Sequence, residues 1–219
     1  MDQARTMARL TKRWNTLWSH LTPASSPGLL PQLLIAWREP QRHYHTLQHL
    51  EECLALFDTL RHTAQHPHEV ELALWFHDAV YDVRAHDNEE RSARWAHEAL
   101  QAAGLEAQSV RRIHDLIMAT RHGAAVPAGA DPDPDPDTDT ALLIDIDLAI
   151  LGAPASRFAE YECQIRAEYA WVAPDVYADK RRAVLLGFLE RSSIYTTPLL
   201  HQQLEQRART NLRSATMPK

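Results

Sequence analysis

Glycine and cysteine are scarce in this chain, with six glycines and two cysteines in 219 residues. Apolar residues recur at helical intervals rather than in strict alternation, so little in the sequence asks for a β-sheet. The cysteines, Cys53 and Cys163, supply no disulfide framework and suit a reducing compartment; each is expected to be a small core residue. No apolar run approaches the roughly 20 residues needed to cross a bilayer, and no basic-then-apolar pattern opens the chain. The expectation is a soluble, cytoplasmic protein. Positive charge is not in excess either. With 23 Lys and Arg against 29 Asp and Glu, the formal net charge is -6 and the pI is near 6.1. That balance argues against an extended nucleic-acid surface or an anionic membrane as partner. It leaves room for a small anionic substrate held by locally concentrated cations.

What the chain does have is enough apolar content, 45%, to bury a full core. The expected class is all-α: a single-domain helical bundle spanning residues 41–215, with an N-terminal helical cover over 1–40. Met7, Leu10, Trp14, Leu17 and Trp18 mark a first helix over 3–20, and Pro23, Pro27, Pro31 and Pro40 punctuate a short second one at 33–37. A helix is expected over 46–64. Pro67 opens another that runs to residue 80, apolar on every face and therefore central. Helices at 88–103 and 107–121 follow, the first ended by Gly104. Residues 124–140 contain the run Asp131-Pro132-Asp133-Pro134-Asp135-Pro136-Asp137, which cannot continue a helix and is expected to be an acidic, proline-rich surface loop. Four more helices are expected, at 141–151, 154–172, 174–192 and 198–213.

Inside these apolar stretches lie polar groups that need partners. An ionised carboxylate taken out of water either neutralises or finds a cation. His45 and His49, four apart on the expected helix, point the same way and can serve one site. His77 and Asp78 are about 100° apart in helical projection, close enough for both to reach an ion beside the helix. Asp145 and Asp147 are about 200° apart, so only one of them is expected to join it. Imidazoles with carboxylates form a mixed N/O donor set suited to Mn, Fe, Ni, Zn or Mg, and one cation satisfies all these groups at once.

His49, the pair His77-Asp78 and Asp147 resemble, in order and setting, the H…HD…D signature of the HD-domain superfamily of metal-dependent phosphohydrolases. The segment Tyr44-His45-x-x-x-His49 is similar to one in the cyclic-nucleotide phosphodiesterases, where the second histidine binds metal and the first donates a proton. Most of the chain, from about residue 43 to 212, resembles an uncharacterised bacterial branch of the superfamily. The segments that carry this likeness are Leu74-Trp75-Phe76-His77-Asp78-Ala79-Val80-Tyr81, Asp87-Asn88-Glu89-Glu90-Arg91-Ser92-Ala93 and Asp147-Leu148-Ala149-Ile150-Leu151-Gly152. Thr46 stands where that pattern has asparagine, and Gly123 where a second histidine often follows His122.

The resemblance implies His49, His77, Asp78 and Asp147 as ligands of one divalent ion, with a second ion possible, and His45 as the acid. Asp145 becomes an outer partner or a loop anchor. It further implies hydrolysis of a phosphomonoester, phosphodiester or pyrophosphate bond in a nucleotide or similar small molecule. Arg91, Arg121 or Arg181 would hold the anion, and Asp82, Glu89, Glu90 or His122 would orient water or hold a second ion. The alternative expectation is a non-catalytic, metal-stabilised nucleotide-binding or regulatory protein on the same scaffold. In either case the protein is expected to be a monomer or homodimer.

Overall fold

A computed structural model describes residues 3–21, 28–121 and 137–217, and all regular structure among them is helical. The chain divides into two compact units, residues 1–121 and 122–219.

The first unit contains α1 (Gln3–Ser19), α2 (Leu29–Ala36), α3 (Leu47–Leu60), α4 (Pro67–Phe76), α5 (Asn88–Ala102) and α6 (Ala107–Ala119). Leu10, Trp14, Leu17 and Trp18 form the buried stripe of α1. Trp14 meets Trp75 of α4 edge-on at 5.1 Å, and Arg9 pairs with Glu51 of α3. The expected N-terminal cover is thus built into the core of this unit. Helix α2 begins earlier than expected, at Leu29, after Gly28, whose φ of 98° favours glycine, and it carries Pro31 in its first turn. A first-turn proline removes no intrahelical hydrogen bond, so Pro31 belongs to the helix rather than stopping it. Thr46 caps α3 by accepting the Gln48 amide.

Helix α4 is the centre of the unit, with Val70, Leu72, Ala73, Leu74, Trp75 and Phe76 fully buried. It stops at Phe76, and His77 is its C-terminal cap. Buried alongside the apolar residues are Glu69 and Glu71. Arg112 donates to both oxygens of Glu69, at 2.6 and 2.5 Å, while Arg13 (2.6 Å) and Arg61 pair with Glu71. Burying a carboxylate requires such partners. Gly104, with φ 83°, ends the α5 segment.

The second unit contains α7 (Thr138–Asp147), a 3-10 turn at Leu148–Gly152, α8 (Ala155–Glu168), α9 (Pro174–Glu190) and α10 (Pro198–Thr216). The start of α7 corrects one boundary. Residues 138–140, expected in the acidic loop, form its first turn because Asp137 accepts the Thr140 amide at 2.9 Å. The rest of that loop, residues 124–136, lies outside the described residues. Tyr195 donates its hydroxyl to the Leu148 carbonyl at 3.0 Å, and Asn211 donates to the carbonyls of Leu151 and Ala153, both at 2.9 Å. These bonds hold the 3-10 turn against α10. Cys53 is buried as expected, whereas Cys163 is exposed on α8, on the side turned from the buried Phe158, Tyr161 and Ile165.

Candidate metal centre

Local sequence places the candidate ligands. The Thr46 cap starts α3 so that His49 falls on the same buried face as Cys53 and Leu50. The end of α4 presents His77 and Asp78 at a helix terminus rather than along a helix face, so the projection angle expected from a longer helix does not apply. His49 and His77 are 2% and 1% exposed, and Asp78 is half-buried. The Nε2 atoms of the two imidazoles are 3.1 Å apart, and Asp78 Oδ2 lies 3.1 Å from His77 Nε2 and 3.7 Å from His49 Nε2. Separations of about 3–4 Å are what ligand atoms show when each sits about 2.0–2.2 Å from a shared ion.

The backbone also orients the ring. His77 Nδ1 is 2.9 Å from the Leu74 carbonyl, which can only accept, so Nδ1 carries a hydrogen and Nε2 is the ring atom turned toward Asp78 and His49. This is the usual way a protein orients a metal-binding imidazole. Cys53 Sγ lies beside the His49 ring, 3.6 Å from Nδ1 and 3.8 Å from Nε2. His49, His77 and Asp78 thus bring two imidazole nitrogens and a carboxylate oxygen together, and this group could hold a metal ion. Asp147 is the last residue of α7, in the second unit. The donor set fits: two imidazoles and a carboxylate suit a borderline or hard divalent cation.

His45 is not on α3. It precedes the Thr46 cap, in a tight turn where the Thr46 amide donates to the Tyr44 carbonyl at 2.7 Å, so the helical spacing expected between His45 and His49 does not exist. Aromatic packing positions it instead. Its ring stacks on Tyr81 at 4.0 Å and lies 6.0 Å from the His49 ring.

The remaining candidates are engaged in various ways. Asp82 is exposed and its Oδ1 accepts the Arg84 amide, while Asn88 brackets its backbone. Glu89 lies in the first turn of α5, half-buried, beside exposed Glu90. Arg91 pairs loosely with Asp87 at 3.8 Å, and exposed Arg121 donates to the His86 carbonyl. Arg181 points its Nε and Nη2 at Glu162 and stacks over Tyr161 at 5.0 Å. Asp145 is a loop anchor: fully buried, it accepts the amides of Thr196 and Thr197 and both threonine hydroxyls. Burial pushes its carboxyl up from the ordinary range, and those hydrogen bonds oppose the shift. His122 lies outside the described residues.

Nothing in the sequence singles out Arg42, which follows Pro40 and reads as a loop residue, yet its side chain is 0% exposed and touches the backbone of His45 and Asp78. The only hint is its place two residues before Tyr44-His45. Compared with protein-family models, with curated proteins and with solved structures, the chain matches none.

Proposed function

We propose that the protein is a metal-dependent phosphohydrolase acting on a small phosphorylated substrate, a nucleotide or similar molecule. The observation that carries this reading is the convergence of His49, His77 and Asp78, whose facing atoms lie 3.1–3.7 Å apart, with Asp147 the proposed fourth ligand. The order in which these residues occur in the chain supports it, through the H…HD…D resemblance. A divalent ion at such a centre supplies Lewis acidity toward a phosphoryl oxygen and acidifies water.

The chain's own residues do the rest. His49 and His77 offer Nε2 lone pairs from a buried wall, and the Leu74 carbonyl keeps His77 in that tautomer. Asp78, at the more accessible edge, supplies negative charge that balances the cation. His45 is the proposed proton donor to the leaving oxygen. Its half-buried ring is held by stacking on Tyr81, which fixes its plane. Arg91 and Arg121 are the proposed contacts for substrate charge, since Arg181 already faces a carboxylate.

The test is metal content and turnover together. His77→Ala and Asp78→Ala are expected to lose bound divalent metal and phosphate release on a panel of nucleotides, pyrophosphates and phosphodiesters with added Mn²⁺. Full metal stoichiometry in both variants overturns the centre. Ligand-induced thermal protection of the unaltered protein across the panel, without any phosphate release, overturns the enzyme and leaves a binding protein.

A further inference from the structure

Arg42 carries an unusual burden for a residue in a loop. Its guanidinium is fully buried, yet among the described residues its one carboxylate contact is Glu39, whose side chain is 40% exposed. Its other hydrogen bonds to the described residues end on backbone carbonyls of the segments that carry the candidate site. Nη1 donates to the Asp78 carbonyl at 2.6 Å and to the His45 carbonyl at 3.2 Å, and Nη2 donates to the Ala79 carbonyl at 3.0 Å. Nε donates to Glu39 Oε2 at 3.0 Å. The flat group lies between the rings of Trp37 and Tyr81, with its central carbon 5.6 and 5.5 Å from their centroids. Tyr81 is also the ring on which His45 stacks, and Trp37 lies 5.5 Å from the ring of His77.

We infer that Arg42 is a positioning residue that sets the geometry between the His45 turn and the His77-Asp78 helix terminus, and so sets the affinity of the metal centre. The inference rests on the reading of His49, His77, Asp78 and Asp147 as metal ligands, not on any particular substrate. Its physical basis is the geometry of the contacts. Residues 78 and 79 lie beyond the last hydrogen-bonded turn of α4, where backbone carbonyls lack helical partners. Residues 43–46 form an irregular turn before α3. Neither segment is held by secondary structure, and one rigid five-donor fork fastens both. Fixing the Asp78 peptide fixes the point from which its carboxylate leaves the chain, and fixing the His45 carbonyl holds that imidazole against Tyr81.

Only arginine meets these demands. A lysine ammonium concentrates three donors at one point, cannot span carbonyls from two segments while reaching Glu39, and does not fill the slot between two aromatic faces. Outer partners of metal ligands change affinity by about 10–100-fold when removed, and that is the scale expected here.

The experiment measures Mn²⁺ binding to the full chain by calorimetry or electron paramagnetic resonance, together with the metal-free thermal midpoint, for the unaltered protein, Arg42→Lys, Arg42→Met and Glu39→Gln. The expected result is that both Arg42 variants keep the helical circular dichroism of the unaltered protein while the Mn²⁺ dissociation constant rises about 10–100-fold, with Lys no better than Met. Glu39→Gln, which frees only the Nε end, is expected to weaken Mn²⁺ measurably less. Unchanged Mn²⁺ affinity in Arg42→Lys, with only the midpoint lowered, overturns the inference and makes Arg42 part of the general scaffold. If the Arg42 variants do not fold, Glu39→Gln decides, and undiminished affinity there overturns the inference. Absence of divalent binding in the unaltered protein is a separate outcome that overturns the metal centre and the inference with it. Mn²⁺ binding without turnover overturns only the phosphohydrolase reading.

Discussion

Asp145 offers the most quantitative check on how this fold is held. Its Oδ2 accepts the Thr197 amide at 2.6 Å, the Thr197 hydroxyl at 2.7 Å and the Thr196 amide at 2.9 Å, tying α7 to the loop that begins α10. Asp145→Ala leaves both amides without this acceptor, and an unsatisfied buried donor costs about 1–3 kcal/mol. Thr196 is exposed, so its amide can recover water, while Thr197 is half-buried. Against this loss stands the desolvation that already raises the carboxyl pKa, a cost that disappears with the side chain. The balance is about 3 kcal/mol of destabilisation, or roughly 6–12 °C in Tm for a chain of this size. Asp145→Asn keeps an oxygen for the Thr197 amide and hydroxyl and can turn its amide nitrogen toward the Thr196 hydroxyl. It should therefore cost about 1 kcal/mol, the worth of an ordinary hydrogen bond. Urea unfolding followed by far-ultraviolet circular dichroism, with equal m-values, measures both. Equal losses in Ala and Asn, or losses below about 0.5 kcal/mol in both, refute the anchoring role.

Other perturbations follow from the same geometry. A Cβ on Gly152 would come within 2.7 Å of the Leu204 Cβ and 3.1 Å of the Leu204 carbonyl, so Gly152→Ala should lower stability by about 1–3 kcal/mol; an unchanged denaturant midpoint contradicts the close approach. Glu71→Gln strips the negative charge from between Arg13 and Arg61 and should cost about 2–3 kcal/mol, below the 3–5 typical of fully buried pairs because both arginines are partly exposed. Further removal of Arg61 should restore part of that loss in a double-mutant cycle. Burial, then Arg61, then the stacked His20 hold the His68 pKa below the ordinary imidazole value. The folded state therefore prefers neutral His68. Its contribution to stability is present above the ordinary imidazole pKa and is lost as pH falls through the lowered value. His68→Gln should flatten stability against pH in the range below about 6.5; an unaltered slope counts against it.

Much of the helical layout was legible in the sequence because its signals are local. Pro67, Gly104, Pro174 and Pro198 mark termini by capping or by a fixed φ, and apolar spacing marks buried faces. The ligand candidates were legible too, since His49, His77 and Asp78 stand out as polar groups among apolar neighbours. What local signals could not show was anything settled by a distant partner. Glu69 and Glu71 lie within an apolar helix because Arg112, Arg13 and Arg61 come to them from elsewhere in the chain. The end of α4 at Phe76 goes against the continued apolar run through Ala79 and Val80, and beyond it a distant side chain, Arg42, takes the carbonyls of residues 78 and 79. His45 was misplaced onto a helix by a four-residue spacing that the Thr46 cap cuts off. Pro31 read as a break because its effect depends on which turn of the helix it occupies.

The hydrogen bond from His77 Nδ1 to the Leu74 carbonyl has a dynamic consequence. The last turn of α4 is both the support of a proposed ligand and a helix end, a place where helices open most readily. Each opening of that turn releases the imidazole, and each occupancy of the site holds the turn closed. Divalent metal should therefore slow amide hydrogen exchange in the last turn of α4, at residues 73–77, by the factor 1 + [L]/Kd, if the open form does not bind. The amides of α6 in the same unit, remote from the ligands in sequence, would exchange as before in any opening that does not include α4. The helix end thus reports occupancy of the centre in units of exchange rate, with no substrate required.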